Sequence, residues 1–179
     1  WVVDHTLRVL ESNIDWVYTL SKVAINLSGL TLGDDLLQQR IINRVNASEV
    51  PPEKLCFEIT ETSAVTNLNS ARQFIRELRE LGCRFALDDF GAGMSSFTYL
   101  KNLDVDYVKI DGSFVRNMVR DPIDFETVKA IHGIAHSMGK QTVAEFVVDE
   151  QTRDALVALN VDYGQGFALD KPCPLLQRI

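Results

Sequence analysis

Two adjacent carboxylates, Asp88 and Asp89, close a short apolar run from Phe85 to Leu87, and a loop punctuated by Gly91 and Gly93 follows. The run has the size and type of a buried parallel strand. The glycines permit backbone angles that other residues avoid, and Ser95 offers an N-cap for a helix beyond the loop. Neighbouring carboxylates repel each other and lose solvation on burial, so such a pair belongs where something positive arrives, most often a divalent metal. Other apolar runs also carry a polar residue at or near their ends: Asn26, Glu58, Lys109, Glu145 and Gln165. Glu58, Asp88 and Asp89 are hard oxygen donors and Asn26 is a neutral one, a set that suits Mg²⁺ or Mn²⁺ better than zinc. Lys109 suits a phosphate oxygen or an activated water, and Glu145 a further ligand or a base. Metal-assisted phosphodiester hydrolysis fits these parts, with two ions clamping the attacking and leaving oxygens.

These groups act together only if the chain gathers them. Apolar residues at helical spacing predict helices over residues 1 to 12, around Leu36 to Ile42, from Ala71 to Leu81, around Val128 to Met138 with Asp124 as cap, and from Asp149 to Leu159. Between them lie strands at Val23 to Asn26, Leu55 to Glu61, Phe85 to Asp89, Tyr107 to Asp111, Thr142 to Glu145 and Tyr163 to Leu169. The alternation is that of βαβ units. Spacing alone allows either an open doubly wound sheet or a TIM-type (β/α)8 barrel, but only a barrel brings every strand end to one rim. The expectation is therefore a single α/β domain over residues 1–179, a (β/α)8-like barrel truncated at its amino terminus with about six βα units present.

The chain has 179 residues, is 46% hydrophobic and 24% charged, and carries a net charge of −7. This reads as globular and argues against non-specific attraction to nucleic acid polymers or anionic lipid surfaces. No apolar run is long enough to span a bilayer. Cys56, Cys83 and Cys173 match neither a zinc site nor a disulfide framework, which points to a reducing cytoplasm, including the cytoplasmic part of a membrane-anchored protein. The opening Trp1-Val2-Val3, with no methionine or cap ahead of it, reads as a cut from a longer protein.

Some motifs are decoys. Asp89-Phe90-Gly91 copies the kinase metal-binding triplet without the catalytic loop or lysine strand that accompany it. Gly91-x-Gly93 lacks the third glycine of a dinucleotide loop. His132 and His136 are spaced as zinc ligands can be, but Gly133 stands where H-E-x-x-H has its glutamate, so a structural or surface role is expected.

Taken in order, Asn26-Leu27-Ser28, Glu58-Ile59-Thr60-Glu61, Asp88-Asp89-Phe90-Gly91-Ala92-Gly93-x-Ser95-Ser96, Lys109-Ile110-Asp111, Ala144-Glu145 and Gln165-Gly166-Phe167-x-x-x-Lys171-Pro172 resemble the EAL-domain cyclic di-GMP phosphodiesterases. The resemblance implies a modified TIM barrel that opens cyclic di-GMP to linear pGpG with Mg²⁺ or Mn²⁺. It implies Asn26, Glu58 and Asp88 as ligands of one ion and Asp89 as a ligand of the second. Lys109 would hold the attacking water, Glu145 would act as ligand or base, and Gln165 would hydrogen-bond near water or phosphate. Glu61 would pin the loop from Phe90 to Ser96, on which dimer contacts depend. A homodimer and an upstream sensor or cyclase domain are expected partners. The chain departs from the family at the Glu-Ala-Leu tripeptide, which does not occur, at Phe146 in place of a common glycine, at Val148 in place of a second glutamate, and at Met94 in place of a common aromatic. A degenerate domain that binds cyclic di-GMP without cutting it, or one acting only as an interaction module, is the alternative.

Overall fold

The computed structural model describes residues 1–92 and 97–175. Strands β1 (Val23–Asn26), β2 (Leu55–Thr60), β3 (Arg84–Phe90), β4 (Tyr107–Ile110), β5 (Gln141–Ala144) and β6 (Tyr163–Gly164) form one sheet whose spatial order follows the chain order. Every neighbouring pair is parallel. A doubly wound sheet reverses its strand order at a switch point; this one never does, so the crossovers all advance in one direction and the sheet curls as part of a TIM-type barrel.

The helices are α1 (Val2–Glu11), α2 (Ile14–Thr19), α3 (Asp35–Asn46), α4 (Glu61–Thr66), α5 (Leu68–Glu80), α6 (Phe97–Leu100), α7 (Gly112–Val115), α8 (Pro122–Ser137) and α9 (Glu150–Ala158). In α5 the predicted stripe Ala71, Phe74, Ile75 and Leu78 is buried, and the helix stops at Gly82, whose φ of 109° is open to glycine. Alternate strand residues face this helical layer: Phe57 and Ile59, Phe85 and Leu87, Val108 and Ile110, all in one apolar core. Phe85 packs against both Phe57 and Phe74, with ring centroids 5.7 and 6.2 Å apart, each buried ring contributing about 1.5–3 kcal/mol. The other strand face is concave. There Cys56, Ala86 and Tyr107, with Val143, form a separate small cluster below the polar strand ends. Cys56 and Cys83 are both buried, which pushes each thiol up to about 12.

Some local expectations change, among them the ends of β4 and β5, which stop at Ile110 and Ala144, one residue short of Asp111 and Glu145. Asp121, not Asp124, caps α8: its side chain accepts from the Ile123 amide and Pro122 takes the first helical position, where a missing N–H costs nothing. Thr60 rather than Glu61 ends β2; the Thr60 hydroxyl caps α4 and Glu61 opens that helix. The last strand ends at Gly164 instead of Leu169, because the amides of Leu169 and Asp170 turn back to the Gly166 carbonyl. Gly166 lies so close to Val147 that a Cβ there would meet its backbone N and O at 2.3 Å. The proposed cap Ser95 lies outside the described residues, as does Gly93. No helix among the described residues is long and apolar enough to cross a membrane.

Candidate active site

Successive residues of a regular strand point to opposite faces, so Asp88 and Asp89 could not both serve one mouth from an ideal β3. The strand solves this with a bulge. Leu87 pairs with Val108 and Phe90 with Ile110, so Asp88 and Asp89 together stand opposite Lys109 alone. Asp89 takes a φ of 56°, a left-handed conformation that aspartate tolerates better than most residues. As a result one carboxylate oxygen from each of Asp88, Asp89 and Glu145 lies within 4.8 Å of the others.

Lys109 is the centre of the arrangement. Its Nζ stands 2.9 Å from Glu58 Oε2, 2.8 Å from Asp88 Oδ1 and 2.9 Å from Glu145 Oε1, and the lysine is only 4% exposed. Burial works against its charge, but the hydrogen bonds and charges of Asp88, Glu58 and Glu145 outweigh it and hold the ammonium well above the ordinary lysine range. Glu145 is pushed up by burial, with Lys109 pulling the other way. Asp89 is pushed up by burial and by the charges of Asp88 and Asp111. Four carboxylates, Glu58, Asp88, Asp89 and Glu145, thus face one ammonium, and the excess of hard anionic oxygen suits a divalent cation.

The remaining predicted residues lie around this cluster. Asn26 ends β1 in register with Glu58, is exposed, and lines a cavity of about 470 Å³ with Ser28, Arg40 and Arg44. Gln165, also exposed, borders two cavities: one of about 290 Å³ shared with Glu58 and Lys109, and one of about 420 Å³ shared with Glu145. Neither side chain is drawn into the Lys109 ion pairs. Glu61 lies against Gly91 at the end of β3 rather than in the mouth, and residues 93–96 of the loop it was expected to pin lie outside the described residues. Its Oε2 accepts from the Gly91 amide at 3.0 Å and its Oε1 from the Tyr99 hydroxyl, so it joins the end of β3 to α6. Glu61→Ala should leave the Gly91 amide and the buried Tyr99 hydroxyl without this acceptor and cost about 2–4 kcal/mol, read as a lower urea midpoint.

Tyr99 and Arg116 escaped the sequence reading, and other neighbours that it named only within motifs or as departures also border the site. Tyr99 is the partner of Glu61 across 38 residues, and no local signal announces such a pairing. Arg116, Phe146, Val148 and Phe167 line the cavity beside Glu145, with the Arg116 guanidinium 4.9 Å from the Phe146 ring centre. Asp111, visible in the sequence as the end of Lys109-Ile110-Asp111, caps α7 and adds its charge next to Asp89.

A family model described as EAL domain matches residues 1–172. Among curated proteins, the chain is 44% identical over 153 residues to the cyclic di-GMP phosphodiesterase PdeB of Shewanella oneidensis, covering 86% of this chain and 18% of that protein. It is 36% identical over 179 residues to the cyclic di-GMP phosphodiesterase PdeF of Escherichia coli, covering 100% of this chain and 24% of that protein. The chain therefore spans at most 24% of the length of these two relatives. Among solved structures, the PaMucR phosphodiesterase in complex with c-di-GMP matches with a TM-score of 0.91 at 30% identity, over 100% of this chain and 72% of that one. The EAL domain of Mycobacterium smegmatis DcpA matches with a TM-score of 0.91 at 31% identity, over 99% of this chain and 80% of that one.

Proposed function

This chain belongs to the EAL domain family, and from that premise we propose that it serves to hydrolyse bis-(3′-5′)-cyclic di-GMP to linear pGpG within a longer protein. Water adds to one of the two phosphodiester phosphorus atoms, the bond to the 3′-oxygen breaks, and the product keeps a 5′-phosphate. The observation that carries this reading is the placement of one buried ammonium, Lys109, against carboxylates from three other strand ends at 2.8–2.9 Å.

Asn26, Glu58 and Asp88 would hold one Mg²⁺ or Mn²⁺, and Asp89 the second, with Glu145 shared or free to act as a base. Such ions would polarise the phosphoryl oxygens and acidify a bound water. Lys109, held in its charged form, cannot serve as a base; it donates hydrogen bonds, orients the water and offsets charge gathering on phosphorus oxygens. Glu145 has an affinity for protons raised by burial, which makes it a better proton acceptor than an ordinary carboxylate. Gln165 adds a neutral donor at the rim. The relatives' names as phosphodiesterases favour hydrolysis over the receptor alternative.

The same proposal includes a cytoplasmic location, a homodimer and an upstream sensor or cyclase domain, none of which alters the chemistry. The deciding experiment is chromatography of pGpG formed from cyclic di-GMP by the full-length protein with Mn²⁺ or Mg²⁺. Turnover that disappears with chelator supports the reading. Tight, metal-indifferent binding without turnover would replace it with the receptor.

A further inference from the structure

We propose that His132, His136 and Asp162 form a transition-metal site of zinc type at the amino-terminal ends of β5 and β6, the opposite end of the sheet from the carboxylate mouth. His132 and His136 are four residues apart on α8, so their rings share one helix face, with centroids 4.2 Å apart. Asp162, immediately before β6, completes the set. One ligand atom from each of the three lies within 4.8 Å of the others. Tetrahedral zinc, with bonds near 2.0–2.1 Å, needs ligand atoms about 3.4 Å apart, so the side chains would have to turn and close by up to about 1.4 Å, exchanging the His136–Asp162 hydrogen bond for metal bonds.

The hydrogen bonds around the cluster prepare it. The Thr142 hydroxyl donates to Asp162 Oδ2 at 3.0 Å, and His132 Nδ1 stands 2.8 Å from the same hydroxyl oxygen. A hydroxyl has a single proton, so His132 must donate through Nδ1, which leaves the lone pair of Nε2 for a cation. A ligating histidine that gives its other N–H to an oxygen is the arrangement that fixes ring orientation at metal sites. Asp162 is held in turn by the Thr142 amide at 2.8 Å, and His136 Nε2 meets it at 2.8 Å. All three hydrogen bonds to Asp162 fall on Oδ2, so Oδ1 remains available. The His136 side chain is 44% exposed, which gives a cation a way in. Two imidazoles and one carboxylate with an open fourth position select a borderline cation, Zn²⁺ above Mg²⁺ or Ca²⁺. A bound ion would join α8 to the turn before β6 and tighten the strands that carry Glu145 and Gln165.

The test adds Co²⁺, a spectroscopic stand-in for Zn²⁺, to the metal-free full-length protein. The expected result is the visible absorption of tetrahedral Co²⁺ at one equivalent, displaced by Zn²⁺, together with a rise in melting temperature. Both should survive Asp89→Asn, which weakens metal binding only at the mouth. Affinity for Co²⁺ should weaken by more than about 100-fold in His132→Gln, a loss beyond the range that outer contacts alone produce. His132→Gln leaves the His136–Asp162 hydrogen bond in place, so circular dichroism should remain unchanged; His136→Gln is the second variant if it does not. Absence of the tetrahedral spectrum, or its survival in both histidine variants, would overturn the proposal.

Discussion

Lys109→Ala is expected to lower cyclic di-GMP turnover by at least about 100-fold, the lower end of what a preorganised hydrogen-bond donor to developing charge contributes, and to destabilise the metal-free fold by about 3 kcal/mol. The stability loss arises because Glu58, Asp88 and Glu145 each stand within 2.9 Å of the ammonium and would be left facing one another. Removing one member of a buried ion cluster costs more than the cluster was worth, since the survivors stay desolvated. The neighbouring cavity of about 290 Å³, bordered by Glu58 and Lys109, is large enough for water to reach the survivors, which places the cost at the lower end of the usual range. Mn²⁺ should therefore narrow the gap between variant and wild type.

The pH dependence follows from the same contacts. The folded-state pKa of Lys109 is raised above its ordinary 10.5. A raised amine contributes stability in full below the unfolded value and loses it as pH climbs through the folded one. Urea titrations at about pH 8 should show the whole difference between wild type and Lys109→Ala, and the difference should shrink only above the ordinary lysine range. A gap that closes near neutrality would contradict a charged Lys109.

The second large effect belongs to Asp89, and two substitutions separate its charge from its backbone. Asp89→Asn keeps a residue that tolerates the 56° φ and removes a carboxylate whose protonation burial and Asp88 already favour. Metal-free stability should change by under about 1 kcal/mol. Affinity for Mn²⁺ in titration calorimetry should fall by about 10–100-fold. The sign of the stability term follows from linkage: a carboxylate with a raised folded-state pKa destabilises the fold once pH passes its unfolded value, so neutralising it costs the apo protein nothing. Asp89→Val loses the same charge and also forces a β-branched residue into the left-handed region. It should cost a further 1–3 kcal/mol or so and disturb the register that brings Asp88 toward Lys109. Equal stability of the two variants would show that the bulge imposes no such demand.

These two residues also mark how far the sequence reached. Lys109 and Asp88 were both legible as strand-end groups, because the two-residue alternation of Phe85, Leu87, Val108 and Ile110 already assigns the opposite face to Ala86, Asp88 and Lys109. The stripes of α5 and α8 and the stop at Gly82 were legible for the same reason, since helical periodicity and glycine conformations are settled by near neighbours. Asp121 could have been found as the α8 cap from Pro122 alone. The end of β6 could not, because it depends on how closely the backbone at Gly166 approaches Val147.

By itself, then, the sequence determined the strand and helix periods, the polar character of each strand end and the family likeness, all of which are written in residues a few positions apart. Only the tertiary structure decided that Asp88 and Asp89 turn to the same side, that Lys109 sits inside the carboxylates rather than beside them, and that Glu61 meets Gly91 and Tyr99. The physical reason is that these distances are set by parallel register and by one bulge. Both are outcomes of packing whole strands against a shared helical layer, where a shift of one residue would reverse every face.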